Sequence, residues 1–232
     1  MKVRGLMAWL LALACLSPCA AFAGDSALSR SLQRQLEVNR ERYGIAGQAL
    51  LVVHDGRVIF RGVDGEANLE THRPIARTDV FPAYSLAKLF TSTLIMQLVE
   101  QGQVDPEAPA SVYLPGLPAA WRTIAVRDFL DHSSGVPEYF DNRNGAGAAT
   151  DTVFAGDAAS VFASLAERPM QFAPGTDTRY TQTNYLVLAA LLEAHYRKPY
   201  ARIAERRILR RLGMRHTWLG PVGLPRRGVV TS

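Results

Sequence analysis

From Ser85 to Gln101 the chain carries apolar residues on nearly every side of a helical wheel, with no proline or glycine to interrupt it. Leu86, Leu89, Phe90, Leu94, Ile95, Met96, Leu98 and Val99 leave no wholly polar face. A helix that is apolar all round is expected in the middle of a larger body, so the rest of the chain has to wrap around this one. Packing alone must hold that body together. Cys15 and Cys19 are the only cysteines, and past them neither a disulfide nor a thiolate metal site is available. An apolar share of 48% and a charged share of 20% are those of a globular chain with a real core. A length of 232 residues predicts one domain, or one and a half.

Residues 1–23 stand apart. Lys2 and Arg4 precede an apolar run from Leu6 to Leu16, and Ala21-Phe22-Ala23 offers small residues at the cleavage positions. This is the pattern of a secretory signal cut after Ala23; it leaves one domain over 24–232 and places the protein in the periplasm or outside the cell. The run is too short to span a bilayer, and no later segment is long enough. Pro18, directly before Cys19, argues against lipid attachment at that cysteine. Export of a cysteine-free domain fits a bacterial envelope. The formal charge of +5 includes Lys2 and Arg4, and nothing in it asks for nucleic acid as a partner.

The remaining periodicity predicts an α+β chain with one early hairpin. Leu28 to Arg42 reads as an amphipathic helix, with Leu28, Leu32, Leu36 and Val38 near one face and Gly44 as its end. Two β-rich runs, 48–54 and 57–63, are joined by Asp55-Gly56, which favours a tight primed turn. Asp79 or Tyr84 leads into the apolar helix, and Gly102 stops it. Pro106, Pro109, Pro115 and Pro118 predict a long surface connection. A short helix is expected from Val126 to His132 with Thr123 as its cap. Glycine and alanine crowd 144–149, a connecting loop. Asp157 is expected to cap a helix running to Arg168. Pro174-Gly175 is a turn, and two more helices follow at Thr183–Arg197 and Tyr200–Leu212. No late strands are expected.

Ser85 and Lys88 give the apolar helix a chemistry. Three residues apart, their side chains share one face, about 5–6 Å apart at Cβ. An amine there can take the proton of a serine and make it a usable nucleophile. Lys2 and Lys198 are the only other lysines. The serine's own N–H, at a helix start, is a natural oxyanion donor. The bland alternative is an exposed serine beside a solvated lysine; the apolar surroundings favour chemistry. His54, His72, His132, His195 and His216 include no pair at metal-ligand spacing, so neither a metal nor another cofactor is expected. His132 reads as a satisfied histidine at a helix end rather than a catalytic base. Arg202, Arg206, Arg207, Arg210 and Arg211 read as a solvated helix face.

Two further blocks follow in order: Asp131-His132-Ser133-Ser134-Gly135-Val136-Pro137, then Pro174-Gly175-Thr176 ahead of Tyr180-Thr181-Gln182-Thr183-Asn184-Tyr185. With the serine–lysine helix, they resemble the serine β-lactamase and penicillin-binding protein superfamily. The resemblance is to its branch of class C β-lactamases, D-alanyl-D-alanine carboxypeptidases and related esterases, and it runs from Leu28 to Leu219. It implies a β-lactamase/transpeptidase-like α+β fold, an antiparallel sheet with packed helices beside an all-helical lobe. It makes Ser85 the acylated nucleophile, Lys88 its proton acceptor or orienting partner, and Tyr180 the phenol that shuttles protons at the leaving group. Gln182 stands where the family usually has asparagine, at the amide that binds substrate; its extra methylene puts substrate handling in question. The substrate is a small molecule or a peptidoglycan-derived one: a β-lactam, a D-alanyl peptide, or a small ester or amide. The resemblance implies C-terminal strands that complete such a sheet, and none is expected in this sequence. A truncated chain is therefore expected to be weak or inactive, with a sheet edge exposed to pairing with another chain. The alternative is a non-catalytic cell-envelope binding protein, or a degenerate fragment that keeps the scaffold.

Overall fold

The computed structural model describes residues 27–139, 157–220 and 228–230. The leader at 1–23 and the loop at 144–149 lie outside the described residues. The chain divides into two compact units, Met1–Phe81 with Pro225–Ser232, and Pro82–Leu224.

In the first unit α1 (Ala27–Tyr43) precedes β1 (Gly47–His54), β2 (Arg57–Asn68) and the short β3 (Arg73–Pro74), in an antiparallel sheet of order β1-β2-β3. The predicted hairpin is present. Asp55 and Gly56 both have positive φ, 47° and 71°, as a primed two-residue turn demands. Pairing runs from Gly47↔Gly65 to His54↔Arg57, with a bulge at Val52/Val53. Helix α1 packs on one face of the hairpin, where it buries Leu36. There Gln48 donates to the Leu36 carbonyl at 2.7 Å, Gln33 to the Val63 carbonyl at 3.2 Å, and Arg40 pairs with Asp64 at 2.9 Å. Leu51 and Val53 project from the opposite face and are exposed. A late contribution to this unit was not foreseen: Val229 forms a parallel bridge with Val80, beside the ion pair of Arg73 with Asp79 at 2.9 Å.

The second unit is helical. It contains α2 (Lys88–Glu100), α3 (Val126–Leu130), α4 (Ala158–Leu165), α5 (Gln182–Tyr196) and α6 (Tyr200–Ala204), the last continuing into a π turn over Glu205–Leu209. One core joins Leu94, Ile95 and Leu98 of α2 to Phe129 of α3, Phe162 and Leu165 of α4, and Leu188, Leu191 and Leu192 of α5.

Four expectations are corrected here. The α-helix begins at Lys88, and Ser85 sits in the 3-10 turn Tyr84–Ala87 ahead of it, with no side-chain cap from Asp79 or Tyr84. Helix α2 buries one face only, since Leu89 and Met96 are exposed, as is Leu86 in the turn before it. The stretch from Pro106 to Pro118 is not a surface connection. Ala110, Leu114 and Leu117 are buried, as is Trp121 just beyond them. Thr123 does not cap α3; the cap position is Ala125, with no side-chain bond. The first N–H groups of α3 are met by backbone instead, Val126 N donating to Ala108 O at 3.1 Å and Arg127 N to Pro106 O at 2.9 Å.

Asp157 does cap α4, accepting from the Ser160 N–H at 2.9 Å. Hydrogen bonds from Ser160 hold its carboxyl below the ordinary carboxylate range. A depressed carboxylate contributes stability above its unfolded value and loses it as pH falls through the folded one. Asp157→Ala is therefore expected to lower the urea midpoint at neutral pH, and the deficit is expected to vanish in strong acid.

Candidate active site

Tyr84 has φ of 43°, a left-handed conformation rare for a bulky residue. The strained step leads straight into Ser85, whose side chain is left exposed. As the second residue of its turn, Ser85 has a backbone N–H with no acceptor inside that turn. Lys88 follows one turn on and is half-buried.

The Pro174-Gly175 turn brings the third block to the second. Gly175 N donates to Ser133 O at 2.9 Å and Arg179 N to His132 O at 3.0 Å. Gly135 lets the strands of this knot touch: its φ is 70°, and a Cβ there would lie 2.1 Å from the Phe172 carbonyl oxygen. Tyr180 is followed by Thr181 in extended conformation, and Gln182 opens α5.

All four predicted residues come together. The Ser85 Oγ and Tyr180 hydroxyl are 2.6 Å apart, and the Lys88 ammonium donates to Ser85 Oγ at 3.3 Å. Lys88 also donates to Gln182 Oε1 at 2.5 Å. Its nitrogen lies 4.8 Å from the Tyr180 ring centre and 5.5 Å from that of Tyr185, within cation–π range of both. Burial pushes the Tyr180 phenol up. Hydrogen bonds with Lys88 and Ser85, the Lys88 charge and Gln182 outweigh that push and leave it below the ordinary value of 10. Beside Ser85 an open groove of about 520 Å³ is lined by Pro82, Tyr84, Leu86, Leu89 and Tyr185. A larger cavity of about 650 Å³ lies among Arg202, Leu209, Arg215 and Trp218. It contains neither Ser85 nor its partners, so the chemistry points to the smaller groove.

Three supporting residues were not picked out as such from the sequence. Glu138 accepts from the Gln182 N–H at 2.7 Å, a carboxylate at the positive end of α5. Asn184, almost wholly buried, accepts from the Ser134 hydroxyl and donates to His132 Nδ1 at 2.9 Å. Tyr185 joins α5 to α2 and to the end of α3, its hydroxyl 2.9 Å from Ser92 Oγ and donating to Leu130 O at 3.1 Å. The signal for Asn184 was its place within Tyr180-Thr181-Gln182-Thr183-Asn184-Tyr185; for Glu138 there was none. His132 is satisfied, as expected, and its ring lies against that of Tyr180. Among the described residues no group of three or more His, Cys, Asp or Glu side chains is placed to hold a metal ion.

A serine, a lysine and a tyrosine joined in this way, in a chain that also carries a small antiparallel sheet, make a β-lactamase-like protein. The Beta-lactamase family model matches residues 28–232, and the chain belongs to that family. The D-aminopeptidase of Brucella anthropi is 31% identical over 183 residues, covering 78% of this chain and 34% of that protein. A putative D-alanyl-D-alanine carboxypeptidase of Escherichia coli K12 is 24% identical over 212 residues, covering 84% of this chain and 47% of that one. Among solved structures, the D-amino acid amidase of Ochrobactrum anthropi SV3, in complex with L-phenylalanine amide, has a TM-score of 0.75 at 25% identity. That match covers 88% of this chain and 57% of the amidase. The chain thus spans between about a third and a half of the length of these two curated relatives.

Proposed function

We propose that this protein is an exported serine hydrolase that works through a covalent acyl-enzyme on Ser85. The observation that carries the reading is the contact of Ser85 Oγ with both the Tyr180 hydroxyl, at 2.6 Å, and the Lys88 ammonium, at 3.3 Å. As Ser85 Oγ bonds to the substrate carbonyl carbon, its proton passes to the Tyr180 phenolate, which Lys88 stabilises. The Ser85 N–H meets the oxyanion. When the tetrahedral adduct collapses, Tyr180 returns the proton to the leaving amine or alkoxide, and the scissile bond breaks. Water, deprotonated by the same phenolate, then attacks the ester, and Ser85 recovers its proton. No metal or other cofactor enters any step.

The relatives' names share amide, peptide and ester chemistry, much of it at D-amino acids. The proposed substrates are accordingly D-alanyl or other D-aminoacyl peptides, amides and esters, including peptidoglycan-derived ones, with β-lactams as related acylating agents. Export rests on the leader at 1–23. Among the described residues no helix is long and apolar enough to cross a membrane.

A fluorophosphonate or a fluorescent penicillin is expected to add one adduct to the chain at Ser85, read by intact mass and peptide mapping, and to spare Ser85→Ala. Folded protein that stays unmodified by both probes would favour the non-catalytic scaffold instead. Because the phenolate form is the base and its formation is eased, the acylation rate is expected to climb with pH, with a midpoint below the ordinary phenol value of 10. Tyr180→Phe is expected to remove that climb. Gln182 gives a specificity prediction. Its carbonyl is committed to Lys88 at 2.5 Å, and its extra methylene displaces the amide from where an asparagine would present it. Gln182→Asn is expected to raise the ratio of amide to ester turnover by about tenfold; an unchanged ratio in paired amide and ester assays would remove Gln182 from substrate selection.

A further inference from the structure

His132 touches the reacting groups yet has no part in the steps above. Its ring meets those of Tyr180 and Tyr185, with centres 4.6 Å and 5.2 Å away and tilts of 37° and 35°. The backbone is pinned in a left-handed conformation, φ 67°, a cost usually tolerated where position matters. Two donors face Nδ1: the Asn184 amide nitrogen at 2.9 Å and the Thr181 backbone N–H at 3.4 Å. A backbone N–H can only donate, and the Asn184 amide is oriented from its other end by the Ser134 hydroxyl. Nδ1 therefore presents its lone pair, and the ring is neutral with its proton on Nε2. Lys88 faces it from α2, Asp131 and Glu138 from its own segment, and the phenols of Tyr180 and Tyr185 from the start of α5. Burial, followed by the Lys88 charge, holds the imidazole below its ordinary value against the opposite pull of Asp131 and Glu138.

We propose that His132 is a positioning residue: its neutral ring sets the Tyr180 phenol on Ser85, and a proton on Nδ1 undoes that setting. The proton would turn an acceptor into a third donor against Asn184 and Thr181. One side of that contact has to move. Thr181 directly follows Tyr180 in the chain, so the phenol moves with it. The imidazolium would also bring a second cation to Lys88. The site then carries an acid switch of its own, separate from the ionisation of the phenol. This inference rests on the proton-shuttling role proposed for Tyr180.

The test uses the full chain with ring-labelled histidine and tyrosine, followed by NMR through an acid titration, with His132→Phe and Tyr180→Phe to assign the signals. His132 is expected to titrate below its ordinary value of 6.5, and the Tyr180 ring signals are expected to shift with the same midpoint. In His132→Phe, which keeps a ring in the gap but cannot titrate, the Tyr180 signals are expected to stay flat through that range. In parallel, fluorophosphonate modification of Ser85 is expected to fall about tenfold further across the midpoint in the wild type than in His132→Phe, which keeps only the decline set by the phenol itself. The inference is overturned if the Tyr180 signals ignore the His132 midpoint, if His132 titrates at or above its ordinary value, or if the rate falls as steeply across that midpoint in His132→Phe as in the wild type. Should that variant not fold, the shared midpoint in the wild type decides alone. Coupled titrations in a protein that no probe modifies would sink the hydrolase reading and leave the positioning role standing.

Discussion

Lys88→Met is expected to slow covalent modification of Ser85 by about 10²–10⁴-fold, the range lost when a positioned proton-transfer group is removed. Methionine keeps the length and the apolar stem and deletes the charge. Four contacts go with that charge: the bonds to Ser85 Oγ at 3.3 Å and Gln182 Oε1 at 2.5 Å, and the cation 4.8 Å from the Tyr180 ring centre and 5.5 Å from that of Tyr185. The phenol then keeps its burial and loses most of what opposes it, so it is expected to titrate higher than in the wild type. Lys88 is half-buried on an open face, and the fold is expected to survive, with an unchanged circular dichroism spectrum. Groups that act as one unit are not additive. Lys88→Met combined with Tyr180→Phe should therefore be little worse than the slower single variant. Modification rates, measured with a fluorophosphonate, that stay within a factor of two of wild type would remove Lys88 from the chemistry.

The site was legible in the sequence because its residues lie in short ordered blocks whose local geometry does most of the positioning. Ser85 and Lys88 are brought together by one helical turn, and Tyr180 and Gln182 by the entry to α5. What joins the blocks was not legible. Glu138 reaches the start of α5 across 44 residues, and no periodicity announces a carboxylate waiting for a helix end. His132 was read correctly as satisfied, but a lone histidine does not reveal which rings it will meet. The hairpin was equally plain, because Asp55-Gly56 supplies two residues that tolerate positive φ where the turn needs them.

Helix α2 shows how composition misleads about burial. Its apolar residues surround it, yet Leu89 and Met96 are exposed while Leu94, Ile95 and Leu98 are fully covered. A helical wheel reports what a face would prefer, not what neighbours are present to cover it. The proline-rich stretch misleads in the opposite direction. Prolines lack donors and favour extended chain, which reads as loop. Here Pro109 and Pro118 each lead a 3-10 turn, and Ala110, Leu114, Leu117 and Trp121, within and between those turns, are buried.

Trp121→Ala is expected to cost about 3–5 kcal/mol, the usual range for emptying a buried tryptophan site, against a total stability of about 5–15 kcal/mol for a natural domain. Trp121 is wholly covered and meets Phe162 of α4 edge to face, with ring centres 5.7 Å apart. Its surroundings have little freedom to collapse. The segment carrying it is tied on both sides, by Ala110 N to Ile124 O at 2.9 Å and by Val126 N to Ala108 O at 3.1 Å. A void left between these ties and α4 cannot be closed by sliding one element, so the cavity penalty should be felt nearly in full. Helices α3 and α5 draw on the same core, and they hold the His132 block and Tyr180. Urea titration of the variant is the direct measurement. A loss under 1 kcal/mol would mean that this stretch is as peripheral as its prolines suggest. A loss in the expected range would show that the proline-rich segment is a wall of the core on which the site is built.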